Sequence, residues 1–352
     1  MNGLFKVNSG ADIGSGHFQR VLNLALALKV SDWNIYFTFS ELRTDHQSIL
    51  KNLNFKFLDL SKYNNGNLNA PKEFKEIEKF LKDEKMKQLN LILVDDYQSN
   101  LQWDEYARNY CQKLMIVEDA HKEKRNGDLI LDMNFRPKDY IVRLNNIYRG
   151  KQVLVGPRFA LLDSRYSMMH ELALKKKEFV CQKIFINFGT LDNFSLTLRT
   201  VKIILAQFIT MKMNVVIQSG NLDQVTLEKL AKQFPDRINL FKSPDFLGNI
   251  MGECDLSIGA GGISIWERFT IGLISIVVST ADNQKLPMQQ LHESEFITFL
   301  GDASNAKDFD ISTAIESLVS STEKTSIIRN RLLELVDGLG VQRVLGQLVM
   351  DK

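Results

Sequence analysis

Two glycine turns carry the residues best placed to do chemistry. The first reads Asn8-Ser-Gly-Ala-Asp-Ile-Gly14-Ser-Gly16-His17-Phe-Gln19-Arg20, directly after an apolar run. Its spacing approaches the glycine-rich dinucleotide turn, but Gln19 stands at the third glycine position. No acidic residue closes a second strand at the required distance either, so a dinucleotide cofactor is disfavoured. What remains is a turn that delivers His17 to the start of an apolar helix. The positive end of the helix dipole disfavours an imidazolium there, which leaves His17 able to accept a proton. The plainer alternative is a histidine that only caps the helix.

The second turn reads Cys254-Asp-Leu-Ser-Ile-Gly259-Ala260-Gly261-Gly262-Ile263-Ser264-Ile-Trp-Glu267-Arg268. A strand runs into glycines and then a helix, whose freed amides and dipole suit a diphosphate. Glu267 falls early in that helix, where a carboxylate can accept hydrogen bonds from ribose hydroxyls. Close packing of the glycines and a surface Glu267 form the competing reading. No Gly-Lys-Ser/Thr follows, so this is not a nucleoside triphosphatase loop.

Polar clusters close several other apolar runs: Asp95-Asp96-Tyr97, Glu118-Asp119, Asp132-Met133-Asn134, Gly189-Thr190 and Asp282-Asn283-Gln284. Five of them at strand ends outline a polar cleft, as a sugar needs. Asp95 and Asp96 do not make a metal pair, because adjacent strand residues face opposite ways. No metal and no other cofactor is expected.

The elements that must position these residues alternate apolar runs with helical patterns, the signature of parallel α/β sheets. Strands are expected at Leu4–Asn8, Ile35–Phe39, Phe55–Leu58, Leu91–Asp95, Leu114–Val117 and Leu129–Asp132. A second series follows at Ile184–Phe188, Val215–Gln218, Ile238–Phe241, Leu256–Gly259, Ile274–Val278 and Ile297–Leu300. Helices fall between them, including Gly16–Lys29, Glu73–Lys85, Ile263–Ile271 and Met288–Glu293, and two or three more close the chain from Asp308 to Val349. The charged stretch Glu171–Glu178 reads as a linker, giving two doubly wound domains over residues 1–170 and 171–352. The ligand site is expected in the cleft between them, at the carboxyl ends of the strands.

The length of 352 residues supports two such cores, and 44% hydrophobic content excludes a disordered chain. Basic residues number 44 against 42 acidic ones, so no field exists to capture nucleic acid. Cys111, Cys181 and Cys254 are too far apart in sequence for a zinc motif or a disulfide framework. No apolar run approaches the length of a membrane span and no leader pattern opens the chain, so a cytoplasmic protein is expected.

Taken together, Gly14-Ser-Gly-His-Phe-Gln-Arg20, Asp95-Asp-Tyr97, Gly156-Pro-Arg-Phe-Ala-Leu-Leu162, Gly259-Ala-Gly-Gly-Ile-Ser-Ile-Trp-Glu-Arg268 and Asp282-Asn-Gln284 occur in order. In this, over residues 1–300 or so, the chain resembles the UDP-2,4-diacetamido-2,4,6-trideoxy-β-L-altropyranose hydrolases of pseudaminic acid biosynthesis. The resemblance implies two Rossmann-like domains of glycosyltransferase-B type. It also implies metal-independent removal of UDP from a UDP-linked diacetamido sugar, by water attack at the anomeric carbon with inversion. By position it makes His17 the catalytic histidine and Tyr97 its neighbour at the reacting centre. Ala260, Gly261, Gly262, Ile263 and Ser264 become the diphosphate cradle, and Glu267 the ribose-binding carboxylate. Asn283 and Gln284 would face the donor sugar, and Phe241 and Lys242 would read the uracil through their main chain. Asn8, Gly14, Gly16, Arg20, Asp119, Gly189 and Thr190 complete the substrate-binding set. Lys6 and Asn8 depart from the family's arginine and aspartate, altering the sugar side, and Phe188-Gly189-Thr190 lacks one glycine beside the diphosphate. Three readings follow. Hydrolysis is preferred over a glycosyltransferase of the same fold, and both over a non-catalytic nucleotide-sugar-binding module.

Overall fold

A computed structural model describes residues 1–10, 15–64, 69–86, 88–119, 123–176, 180–189, 192–218 and 220–349. It divides into two compact units. The first comprises Met1–Leu161 with Gly340–Lys352, and the second Leu162–Leu339.

In unit 1 the strands are β1 (Asn2–Val7), β2 (Asn34–Phe39), β3 (Lys56–Asp59), β4 (Leu89–Asp95), β5 (Cys111–Val117), β6 (Leu129–Asp132) and β7 (Gln152–Val155). The helices between them are α1 (Gly16–Val30), α2 (Thr44–Asn52), α3 (Ser61–Asn64), α4 (Ala70–Asp83), α5 (Leu101–Ala107) and α6 (Lys138–Ile147). All strand pairs are parallel, in the order β3-β2-β1-β4-β5-β6-β7. Central strands read as near-continuous apolar runs because both faces of the sheet are covered: Leu91–Val94 is wholly buried. β7, a four-residue edge strand with one fully buried position, carries too little pattern to be expected from sequence.

Unit 2 repeats the plan. Its helices are α7 (Arg165–Lys175), α8 (Leu196–Gln207), α9 (Gln224–Gln233), α10 (Leu247–Gly252), α11 (Ser264–Thr270), α12 (Asp282–Glu293), α13 (Asp308–Val319) and α14 (Thr322–Leu335). Its strands are β8 (Lys183–Asn187), β9 (Lys212–Ile217), β10 (Ile238–Lys242), β11 (Leu256–Ala260), β12 (Ile274–Ser279) and β13 (Thr298–Asp302). They lie in the order β10-β9-β8-β11-β12-β13, again parallel. The strand order reverses between β1 and β4 in one unit and between β8 and β11 in the other. Loops at the carboxyl ends of those pairs are where such sheets hold ligands.

Three boundaries differ from the expected ones. The stretch taken as a linker is mostly α7, a helix packed on α10 and α11, so the division falls at Leu161/Leu162 rather than at 170/171. The last helix, α15 (Gly340–Val349), belongs to unit 1, where it packs on α1. Its start comes so close to Ala160 that a Cβ on Gly340 would lie 2.1 Å from that residue's carbonyl oxygen. The Lys113 ammonium donates to the Gln347 carbonyl oxygen at 2.8 Å, farther along the same helix. α12 begins at Asp282, six residues before its expected start. Pro287, which removes a backbone donor, lies inside it.

Lys6 also departs from expectation. It does not reach a sugar site but is fully buried under the sheet, 2.5 Å from Glu73 and 3.4 Å from Asp96, with the Trp103 ring 5.2 Å away. Removing one member of a buried ion pair strands the other, at a cost of about 3–5 kcal/mol. Lys6→Met should lose that much stability in urea unfolding, and the double variant Lys6→Met/Glu73→Leu should lose less. Additive losses would show that the two charges do not depend on each other.

Candidate functional site

His17 is the second residue of α1, on the helix that follows β1, and Asp95 is the last residue of β4. The β1–β4 pairing sets Val7 beside Asp95, so the adjacent strand ends bring the imidazole and the carboxylate together. His17 Nδ1 lies 2.6 Å from Asp95 Oδ1. Arg20, one turn along α1, grips the same carboxylate with two hydrogen bonds of 2.5 Å, from Nε to Oδ2 and from Nη2 to Oδ1. Burial pushes the Asp95 carboxyl up, but the Arg20 charge and then His17 pull harder and hold it at about 2. An ionised carboxylate only accepts, so Nδ1 carries the hydrogen and, in the neutral imidazole, Nε2 holds the lone pair.

Asp119, just past β5, extends the cluster. Arg20 Nη1 donates to its Oδ2 at 2.9 Å, and the Tyr97 hydroxyl to its Oδ1 at 2.7 Å. The Tyr97 ring stands edge-on to His17, with centroids 4.6 Å apart. Burial raises the Asp119 carboxyl, but Arg20, His17 and the Tyr97 hydroxyl together more than reverse it, leaving it below the ordinary carboxylate range. Arg136, on the loop after β6, fixes the backbone by donating to the Asp119 carbonyl at 2.7 Å. His17 and Arg20 are buried, whereas Tyr97 is the exposed member. The arrangement can hold an imidazole in one tautomer and present Nε2 as a proton acceptor.

In unit 2 the turn Ala260–Ser264 lies at the end of β11. A Cβ on Gly259 would be 2.0 Å from the Asn187 carbonyl oxygen, so the β8–β11 contact itself demands glycine there. Gly261 packs against Met288, whose Cγ would be 2.5 Å from a Cβ. Gly262 is different. Its φ is not positive, and a Cβ would meet only Gln284 Nε2, at 3.8 Å. No side chain caps the start of α11, whereas the start of α8 already holds a carboxylate: Asp192 accepts from the Leu196 and Thr197 amides at 2.8 and 3.0 Å. The amides at the start of α11 can therefore accept an anion.

Arg268 lies buried beside that turn and donates to the Ala260 carbonyl at 2.8 Å and to Ser264 Oγ at 3.0 Å. Burial pulls its guanidinium down to about 10 against the opposing charge of Glu267. Burial likewise pushes the Glu267 carboxyl up to about 7, although Arg268 and a hydrogen bond from the Tyr166 hydroxyl oppose it.

The remaining expected residues fall as follows. Arg20 spends its donors on Asp95 and Asp119, and so acts as a clamp. Asn8 is buried, with its amide on the Asp95 carbonyl at 2.9 Å. Gly16 is the first residue of α1, and Gly189, at φ +75°, has its amide on Asn187 Oδ1 at 2.7 Å. Phe241 and Lys242 end the edge strand β10, and the Lys242 ammonium pairs with Glu228 at 2.7 Å. Asn283 and Gln284 lie in the first turn of α12 rather than in a loop, and Gln284 Oε1 accepts from the Thr280 amide at 3.0 Å. Gly14 and Thr190 lie outside the described residues. Asp95 and Asp96 take opposite sides of the sheet, Asp96 accepting from Ser99 Oγ at 3.0 Å, and among the described residues no group of His, Cys, Asp and Glu is set to hold a metal.

Sequence reasoning treated Asp95 as one polar strand end among five and did not single out Tyr166 or Arg136. A signal for Asp95 existed: His17 and Arg20 are three apart and share a helix face, so one carboxylate can serve both. Tyr166 and Arg136 had none, since each meets its partner only through the tertiary fold.

No family model matches the chain. It is 22% identical to the spore coat polysaccharide biosynthesis protein SpsG of Bacillus subtilis, over 97% of this chain and 96% of that one. It is 21% identical to an uncharacterized protein of Methanocaldococcus jannaschii, where the match spans 79% of this chain but 55% of the relative. Among solved structures, MurG of Acinetobacter baumannii superposes with a TM-score of 0.67 at 14% identity, covering 99% of both chains. The UDP-GlcNAc 2-epimerase of Neisseria meningitidis bound to UDP-GlcNAc superposes with a TM-score of 0.62 at 11% identity, covering 100% of both. These likenesses establish the fold, two Rossmann-like α/β units as in glycosyltransferase-B proteins. No described helix is long and apolar enough to cross a membrane.

The two glycines at the α11 turn should separate under mutation. Gly259→Ala meets backbone at 2.0 Å and should fail to fold or lose several kcal/mol. Gly262→Ala meets only Gln284 Nε2, at an ordinary contact distance of 3.8 Å, and should stay within about 1 kcal/mol of the parent in denaturant unfolding. Equal losses at the two positions would mean that Gly262 is also a packing residue.

Proposed function

We propose that this chain is a nucleotide-sugar hydrolase that removes UDP from UDP-2,4-diacetamido-2,4,6-trideoxy-β-L-altrose by water attack at the anomeric carbon with inversion. The observation that carries the reading is the buried Asp95–His17 pair, which keeps Nε2 free to take a proton. Support also comes from the glycine turn at α11, from the polysaccharide-biosynthesis name of the Bacillus relative and from the UDP-GlcNAc held by the Neisseria epimerase.

In the proposed reaction, unit 2 binds the nucleotide. The amides of Gly261–Ser264 take the diphosphate, Glu267 accepts from the ribose hydroxyls, and the open main chain of the edge strand β10 takes the uracil. Unit 1 supplies the chemistry. The water oxygen bonds to the anomeric carbon, and its proton passes to His17 Nε2. The bond from that carbon to the diphosphate oxygen breaks, and the electron pair leaves with UDP. Asp95 stabilises the imidazolium that forms, and the Tyr97 hydroxyl, held by Asp119, orients the water or a sugar substituent. With a sugar hydroxyl in place of water, the same steps would make a glycosyltransferase.

The direct test uses the UDP-linked diacetamido sugar in oxygen-18 water. The label should enter the sugar and be absent from UDP, whose oxygens do not exchange. Label in UDP, or release that waits for an added acceptor, overturns the hydrolase. His17→Gln and Asp95→Asn should each lower kcat by about 10²–10⁴-fold, because one cannot accept the proton and the other no longer fixes the tautomer. A near-parental rate in His17→Gln would move the base elsewhere.

Glu267 adds a pH dependence. Its folded value of about 7 exceeds the ordinary 4.5, so its contribution to stability is present below 4.5 and lost as pH rises through 7. Hydroxyl donors favour the ionised form, so affinity for a UDP-sugar should rise from pH about 6 to about 8. The diphosphate of a UDP-sugar does not titrate in that window. In Glu267→Gln the affinity should be weaker, by about 1.5–3 kcal/mol at the upper end, and flat with pH. A persistent slope in that variant would assign the titration to another group.

A further inference from the structure

Unit 2 contains a pocket of about 300 Å³ at the amino ends of its strands, the opposite end from the α11 turn. Its walls include Met169 and Leu172 of α7 and Ile271, which follows α11. Arg329 of α14 lines it too and is 8% exposed. The guanidinium of Arg329 donates from Nη2 to the Ala173 carbonyl at 2.5 Å. Among the described residues no carboxylate pairs with it. Burial alone pulls this guanidinium below its ordinary value, with no opposing charge. Gly272, at φ +65°, leaves room for its stem, since a Cβ there would lie 3.0 Å from Arg329 Cγ.

A second charged pair lines the pocket without compensating Arg329. The Asp255 carboxylate is held by the Lys176 ammonium at 2.9 Å and by the Gln182 and Lys183 amides at 3.0 and 3.1 Å. That leaves one net positive charge in a pocket whose other walls include Met169, Leu172, Met251 and Ile271. A buried charge without a partner is costly, and an anion that brings its own apolar body would offset the cost. A single guanidinium matches a monoanionic carboxylate with two parallel hydrogen bonds, whereas a dianionic phosphate would need a further cation, and Lys176 is already engaged.

We propose that this pocket of unit 2 binds a small amphipathic carboxylate, its anionic end on Arg329 and its apolar end against Met169, Leu172 and Ile271. No residue of the His17 cluster or of the α11 turn takes part, so the site is independent of the reaction proposed above.

Octanoate and 1-octanol, titrated into the full chain by calorimetry and thermal unfolding, test the proposal, with inorganic phosphate as a third probe. Octanoate should bind and raise Tm, and octanol should bind at least tenfold more weakly. Arg329→Leu should abolish the preference for octanoate. Because Arg329 is buried and that variant can fail to fold, Leu172→Glu supplies a second test at an exposed position. It places a carboxylate on the pocket wall and should block octanoate while keeping the fold. If Arg329 serves only to cap the α7 carbonyl, octanoate will not bind, and the proposal falls. It falls equally if octanol binds as tightly, if phosphate binds better, or if octanoate binding survives Leu172→Glu.

Discussion

A single buried carboxylate organises the polar cluster at the carboxyl end of the unit 1 sheet. Asp95 closes a central strand, and its two oxygens are divided among an arginine and a histidine from one face of α1. Burying a lone carboxylate there would be prohibitive; with Arg20 bidentate upon it, the charge becomes stable and even more acidic than in water. That charge then dictates which nitrogen of His17 bears hydrogen. Arg20 passes the constraint on to Asp119, and Asp119 to Tyr97. An ion pair buried at a strand end thus sets the protonation geometry of a whole cluster.

Unit 2 uses main chain where unit 1 uses side chains. Gly259 and Gly261 exist because strand β8 and helix α12 come too close for a side chain. Only Gly262 has no such reason. The same sequence run therefore mixes glycines that the fold requires with one that leaves amide surface open, and the spacing of glycines alone does not tell them apart.

The sheets were largely legible in the sequence because both faces are buried, which turns a central strand such as Leu91–Val94 into an unbroken apolar run. Twelve of the described strands were expected from the sequence; β7, short and at an edge, was not. His17, Tyr97 and the α11 turn were singled out by residue type and by resemblance. The partner that gives His17 its tautomer lies 78 residues away, and only the β1–β4 register brings it near. Lys6 misled for a similar reason: its place in the chain pointed to the sugar side, whereas the ion pair with Glu73 draws it beneath the sheet. The helical content of Glu171–Lys175 was visible, but its packing on α10 and α11 was not, so a structural helix read as a linker.

The return of α15 to unit 1 makes that unit discontinuous in sequence, with all of unit 2 synthesised in between. Every contact between α15 and α1 closes a loop of some three hundred residues, which places it among the slowest-forming contacts of the molecule. During synthesis α1, the helix that carries His17 and Arg20, has no cover on that side until α15 is made. Unit 2 can complete its core beforehand, since its residues are contiguous. Unit 2, contiguous in sequence, is thus built to mature before unit 1.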